Sequence, residues 1–394
     1  MKPVSLASLI LLGACATATN TDGPVTRAPV PDAPDSATSP ASAPRTDAVL
    51  VTALGETAPV ASDEDAADDP AIWFNRRDRE ASLVLGTDKQ AGLYVFDLAG
   101  RAVEFLPVGQ LNNVDLRQGG VGVFDVAVAS NDSINAVTVF LIDRDTGFVG
   151  QVGDFPTGKT EPYGICLGAT PVGYLPIVTY KDGTVQIFSM PAPTPEEADA
   201  YAQGSADMPF DLVREVKLDT QLEGCVVDEF HNRLFIGEEV AGIWSLELGS
   251  EDSAPLAVDM ISDGNGLAAD VEGLTIWRGE GGKGWLIASA QGADRFVVYD
   301  REAPHTPRGV FAVGELRAED GSVIIDAITN TDGLDAHSGD FGPRFPRGFL
   351  AIQDDENTDP AQFQNFKYVD WRRVEKSLDL PEIAPQWMSR QTGP

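Results

Sequence analysis

Carboxylates, amides and a few lysines recur along this chain in one pattern. Asp68 and Asp69, Asn112, Asn113 and Asp115, Glu161, Glu223, Asp270 and Glu272, and Asp332 each lead into a short apolar run, while Lys89, Asn131, Lys181, Glu238, Glu239 and Gln291 each close another. Gathered in one place, so many carboxylates would repel one another by energies on the order of kcal/mol per close pair. Something positive has to sit among them. Carboxylate, amide and carbonyl oxygens are hard ligands, which suits Ca2+ at about 6 to 8 coordination rather than zinc or copper. The chain has three histidines, none in an HExxH spacing, which argues against a zinc enzyme.

Other chemistries find no foothold. The sequence has no GxSxG elbow, no Walker loop and no GxGxxG between a strand and a helix. Asp143 to Gly147 (DRDTG) lacks the rest of a calcium-binding loop and reads as a hairpin turn. Cys166 and Cys225 sit in apolar runs without CxxC spacing, so they are read as buried free thiols, with a disulfide open to them if the fold brings them together in an oxidising compartment. Trp73, Trp244, Trp277 and Trp371 fall on apolar strand positions and are expected in the core.

The elements that carry these groups repeat six times. Apolar runs ending on polar clusters begin at Ser82, Asp125, Leu175, Arg233, Gly284 and Arg347. Each is followed, after a brief turn, by a second run with period-2 alternation, such as GLYVFDL or GIWSLEL, and the two read as paired strands. A further strand precedes each pair, opening at Asp68, Asn112, Glu161, Leu222, Val271 and Thr331. A repeat of this length, with three strands visible and a more variable fourth, predicts an all-β six-bladed β-propeller with four-stranded antiparallel blades. Pro191 to Ala206 is expected to hold a short surface helix. Because the start of one antiparallel strand and the end of its neighbour share an edge, the opening acids and the closing polar groups are expected on one rim.

At the N-terminus, Lys2 and the apolar stretch Val4 to Leu12 read as an export signal, too short to span a bilayer. Leu12-Gly13-Ala14-Cys15 resembles a bacterial lipobox. The expected organisation is therefore a lipoprotein-type signal over residues 1–15 with Cys15 lipidated, an Ala/Pro/Ser/Thr-rich tether over 16–45, and the propeller over 46–394. Ordinary secretion with cleavage nearby is the alternative. The expected location is exported, as an outer-membrane or periplasmic lipoprotein or secreted, with membrane contact only through the lipid and a monomeric body. With 61 acidic residues against 28 basic and a formal charge of −33, nucleic acid is not expected as a partner.

The stretches DDPAIW (Asp68 to Trp73), GLYVFDLAGR, LNNVDLR (Leu111 to Arg117), EPYGI, EGLTIW, ASAQG, DGLD, QDDEN and QNFK resemble, in this order, the β-propeller phytases. The resemblance covers roughly Glu56 to Trp371. It implies a calcium-dependent phosphoric monoester hydrolase of the 3-phytase type, acting on myo-inositol hexakisphosphate by direct attack of a calcium-bridged water, with several structural and catalytic Ca2+ ions. Carried over by position, Glu56, Asp68, Glu223, Glu239, Asp270, Glu272 and Gln291 match residues lining the calcium-loaded active site. Asp69, Asp326, Glu356, Asn357 and Asp359 match holders of stabilising calcium. Lys89, Tyr163, Lys181 and Asp332 match residues around the phosphate sites, Asn112 is placed with the substrate-binding set, and Glu223, Glu239 and Glu272 with the catalytic one.

Two departures bear on the substrate. The family has two lysines where this chain has Lys89-Gln90, and an arginine where this chain has Asp132. An extra calcium, a substitute such as Arg117, or weaker affinity for the second phosphate would each answer that change. A calcium-dependent hydrolase of simple phosphate esters or lactones on the same plan, and a non-catalytic surface propeller acting as a binding module, remain the alternatives.

Overall fold

The computed structural model describes residues 48–119, 123–358 and 360–386. Six four-stranded antiparallel blades follow one another along the chain. Blade 1 comprises Ala67–Trp73, Leu83–Asp88, Gly92–Asp97 and Ala102–Leu106; blade 2 comprises Leu111–Arg117, Phe124–Asn131, Ala136–Asp143 and Val149–Pro156. Blade 3 comprises Ile165–Ala169, Gly173–Thr179, Thr184–Pro191 and Asp211–Lys217; blade 4 comprises Leu222–Asp228, Arg233–Glu238, Gly242–Glu247 and Leu256–Met260. Blade 5 comprises Val271–Arg278, Gly284–Ala290, Arg295–Asp300 and Pro307–Gly314, while blade 6 is built from Leu334–His337, Phe349–Asp354 and Asn365–Asp370. The expected six-bladed β-propeller is the fold observed.

Blade 6 finds its outer strand at the other end of the chain. Gly55–Glu56 pairs antiparallel with Tyr368 and Lys367, and Val49–Thr52 adds in parallel to the outer strand of blade 5. The first and last parts of the sequence thereby close the ring. The expected surface helix is present as Pro195–Ala202, opened by a capping box between Thr194 and Glu197. A second helix, Trp371–Ser377, is N-capped by Asp370, whose side chain accepts from Arg372 N. The Asp143 turn is a plain hairpin: its carboxylate accepts from Asp145 N and Thr146 N at 2.9 and 2.8 Å.

Apolar side chains fill the spaces between blade faces. Trp277 and Trp371 stack with ring centroids 5.3 Å apart in the core between blades 5 and 6, beside Trp285, Phe296 and Leu350. Each such ring contributes roughly 1.5–3 kcal/mol by burial. Trp73, Trp277 and Trp371 are buried as expected, whereas Trp244 is half-buried and donates to Glu238 Oε2 at 2.8 Å. Among the described residues no helix is long and apolar enough to cross a membrane.

Candidate active site

The register of the inner strands places the acids. In blades 1, 2, 4 and 5 the pairing of the innermost strand slips between Ala67 and Pro70, Leu111 and Val114, Leu222 and Cys225, and Val271 and Leu274. Each slip is a bulge over two residues: Asp68-Asp69, Asn112-Asn113, Glu223-Gly224 and Glu272-Gly273. A bulge re-aims its side chains away from the pleat direction. The candidate ligands are therefore the residues that the ladder does not use.

Glycine follows the site residue in four successive blades, and close approach is the reason. A Cβ on Gly164 would overlap the carbonyl oxygen of Glu223, and one on Gly224 would overlap that of Glu272. On Gly273 a Cβ would press on Leu334 and the Asp332 carbonyl, and on Gly333 it would run into Asp69 and the Asp68 carbonyl. Backbone bonds cross the last two junctions, from Gly273 N to Asp332 O at 2.7 Å and from Gly333 N to Asp68 O at 3.2 Å. Hydroxyls near the ends of second strands also bond across junctions. Ser130 Oγ donates to Tyr163 O, Thr179 Oγ1 to Glu223 O at 2.6 Å, and Ser289 Oγ to Thr331 O at 2.9 Å. Tyr163, Glu223, Glu272, Asp332 and Asp68 are thereby brought into one arc of five neighbouring blades.

Oxygens of Glu223, Glu239 and Glu272, all buried, lie within 4.8 Å of one another. Glu239 Oε1 and Glu272 Oε2 accept no hydrogen bond, nor does the carboxylate of the fully buried Asp68, although Lys89 Nζ stands 3.3 Å from its Oδ2. Burial, joined by the charge of Glu223, raises the Asp68 and Glu272 carboxyls well above the ordinary range and pushes Glu239 up to about 7. Burial and Glu223 likewise bring Asp332 to about 7, against the pull of Lys89, and raise Asp270. Donor-poor buried carboxylates at this spacing fit a hard divalent cation.

Cations and a phenol flank the group. Lys89 Nζ lies 2.8 Å from Asp65, 2.9 Å from Asp332 and 3.3 Å from Asp68. Burial works against its charge, but those carboxylates hold the ammonium protonated. Gln291 Nε2 donates to Asp332 Oδ1. Burial and Glu223, to which it is hydrogen-bonded, raise the Tyr163 phenol. Lys181 Nζ sits 4.2 Å from the centre of the Tyr163 ring. Asp132, brought to about 6 chiefly by burial, has Lys181 and Glu161 among its charged neighbours.

Not every expected residue joins this arc. Glu56 has Lys367 and Asp326 as its charged neighbours and accepts from Asn365 Nδ2 at 3.3 Å, so it belongs to a second acidic group on blade 6. There Lys367, fully buried, is paired with both Asp326 and Asp354, and Asp326 also accepts from Thr358. Asn357 is buried and Glu356 exposed in the same loop; Cys15 and Asp359 lie outside the described residues. Asp69, expected among the holders of stabilising calcium, is on blade 1 beside Asp68, away from the Glu356–Asn357 loop, its carboxylate accepting from Val114 N at 3.2 Å. Asn112 donates to Asn113 at 3.3 Å on blade 2. Glu238 faces away, bound by Thr220 and Trp244.

Asp115 and Arg117 do not lie on the rim. Asp115 is paired with Arg117 at 2.7 Å and accepts from Leu167 N, while Arg117 also binds Glu229. They line a cavity of about 1010 Å³ at the far ends of the inner strands, with Arg278 and His337. Three of its arginines are matched within it, since Arg117 and Arg278 share Glu229 and Arg79 pairs with Asp340. Arg117 therefore cannot replace a cation at Asp132: five strand residues from Asn112 span roughly 17 Å. The cysteines also differ from expectation, for Cys166 and Cys225 form a disulfide between blades 3 and 4. Asp65, Thr179, Ser130 and Ser289 complete the site and were not singled out in the sequence, although the hydroxyls end three of the six repeated runs.

Residues 30–391 match the family model described as Phytase. The 3-phytase of Bacillus subtilis (strain 168) is 36% identical over 351 residues, covering 85% of this chain and 87% of that protein. A solved chain from the crystal structure of a nidogen/laminin complex aligns at 13% identity with a TM-score of 0.41, over 61% of this chain and 78% of that one, a likeness too low to carry argument.

Proposed function

Because this chain belongs to the phytase family of phosphoric monoester hydrolases, we propose that it is a calcium-dependent phytase whose reaction takes place on the arc from Tyr163 to Asp68. The observation that carries this reading is the buried trio Glu223, Glu239 and Glu272, with undonated oxygens, set between Lys89 and the Lys181–Tyr163 pair. Asp68, Glu223, Glu239, Asp270, Glu272 and Gln291 would hold calcium at the rim. Calcium, when bound there, supplies positive charge that offsets the carboxylates and the phosphate ester together and makes water more acidic.

The chain's own groups supply the rest. Lys89 and Lys181 donate N–H to phosphoryl oxygens and stabilise the charge that develops on them as the ester P–O bond breaks. Lys89 stays a donor and not a proton source, since its surrounding carboxylates hold its proton. The Tyr163 hydroxyl, kept protonated beside Glu223, orients one phosphate oxygen. Asp332 fixes Lys89 on one oxygen and Gln291 on the other. Asp132 beside Lys181 weakens the second phosphate position, which favours competition by simpler phosphate esters.

Support for calcium also comes from charge. A body at −33 repels a polyanionic substrate unless bound cations invert the field at the mouth. Glu272→Gln tests the assignment: phosphate release from phytate is expected to fall by roughly a hundredfold or more with the fold retained. Near-normal release by that variant would remove the trio from the mechanism.

A further inference from the structure

The site is built from strands that push each other apart. Glu223 is the common neighbour whose charge bears on Asp68, Glu239, Asp270, Glu272 and Asp332. Any outward slide of its strand, Leu222–Asp228, would relieve that repulsion and open the trio. The chain places its one disulfide among the described residues against that slide. Cys225 stands two residues after Glu223, and its partner Cys166 three residues after Tyr163, so the bridge joins the inner strands that carry the phenol and the central carboxylate.

The same junction is also closely packed. Gly164 abuts the Glu223 carbonyl, Thr179 donates to that carbonyl at 2.6 Å, and Tyr163 N donates to Thr179 O at 3.0 Å. The blade 5–6 and 6–1 junctions of the arc have apolar packing and hydrogen bonds across them but, among the described residues, no disulfide. A bridge at the periphery would serve stability equally well, since its effect on the unfolded chain depends on the 59-residue separation and not on where in the blade it lies. Both cysteines are buried in the inner strands beside the site instead.

We infer that Cys166 and Cys225 are positioning residues, whose disulfide holds Glu223 at ligand distance from Glu239 and Glu272 and so sets the calcium affinity of the rim. This rests on the reading of Glu223 as a calcium ligand. Neither sulfur touches the substrate or the reacting atoms, and the bridge undergoes no redox step in the reaction.

The test is a calorimetric calcium titration of the full chain at 25 °C, comparing wild type, the double variant Cys166→Ala with Cys225→Ala, and Val369→Ala as a control core deletion in blade 6. The double variant is expected to lose calcium affinity five- to tenfold, with half-saturating calcium for phosphate release raised by the same factor and kcat at saturating calcium within twofold. Val369→Ala is expected to lower the melting temperature with no change in the calcium midpoint. A double variant that melts earlier but binds calcium within twofold of wild type would make the bridge a stability element alone and overturn the inference. Should that variant not fold, wild-type protein reduced in graded steps and assayed for free thiol must show the same loss of affinity in proportion to thiol, and an unchanged midpoint would again overturn it. Wild-type protein that binds no calcium would fail the functional reading itself, a result distinguishable from a bridge without effect on a site that does bind.

Discussion

Lys367 lies fully buried on the third strand of blade 6, held between Asp326 and Asp354. Lys367→Met would leave two carboxylates facing each other without a cation, and a loss of about 3–5 kcal/mol is expected, read as a lower urea midpoint. An unchanged midpoint would contradict the pairing. The rim behaves in the opposite sense, because burial and the charge of Glu223 raise its carboxyls more than the nearby lysines lower them. Glu239 and Asp332 have folded values raised to about 7 from 4.5 and 3.8. A raised carboxyl contributes stability that is fully present below its unfolded value and is lost as pH rises through the folded one. The calcium-free protein is therefore expected to melt progressively earlier between about pH 4 and 7, and calcium to restore the loss most strongly at the alkaline end. A calcium-free melting temperature that climbs across this window would contradict it. At this scale the residue types were legible and their partners were not. Asp68 and Asp69 are adjacent acids, and only the bulge between Ala67 and Pro70 decides which one faces Lys89 and which one faces Val114. Glu56 was expected at the active site through the resemblance alone, and nothing local shows that its strand closes a distant blade.

Inner strands turn that ambiguity into a site. Acid-glycine pairs stand at Glu223, Glu272 and Asp332, a pairing that in isolation is commonest in tight turns, where glycine offers positive φ. In the structure Gly224, Gly273 and Gly333 serve close approach instead, because the backbone of the next blade lies where a Cβ would be. Gly224→Ala should therefore be costly although an alanine costs nothing in an ordinary strand. Pushing its methyl against the Glu272 carbonyl is expected to remove about 1–3 kcal/mol and to displace the trio. Thermal melting together with the calcium midpoint measures both effects, and a variant unchanged in both would show that the junction yields freely. The disulfide was legible only as a pair of cysteines in apolar runs, because strand adjacency across two blades is set by the ring and not by spacing. The hydroxyls of Ser130, Thr179 and Ser289 were hidden for the same reason: each bonds a carbonyl 33 to 44 residues away.

The sixfold repeat carried the whole molecule from sequence to architecture. Each repeated run became the second strand of a blade, each alternating run the third, and each acid-led segment the innermost, because period-2 patterning and turn residues specify strands locally. Closure was not legible. Gly55–Glu56 completes blade 6 from the opposite end of the chain, and a two-residue strand has no pattern of its own. The ring explains why groups far apart in sequence, from Asp68 to Asp332, repel one another across a single mouth, and why a protein of charge −33 needs cations there before it can receive phosphate. Phosphate release from phytate by the purified protein, first with calcium and then with excess chelator, tests this most directly. Release is expected to depend on calcium and to return when calcium is restored; undiminished release in excess chelator, or none at all from folded, calcium-loaded protein, would rule out a calcium-dependent phytase.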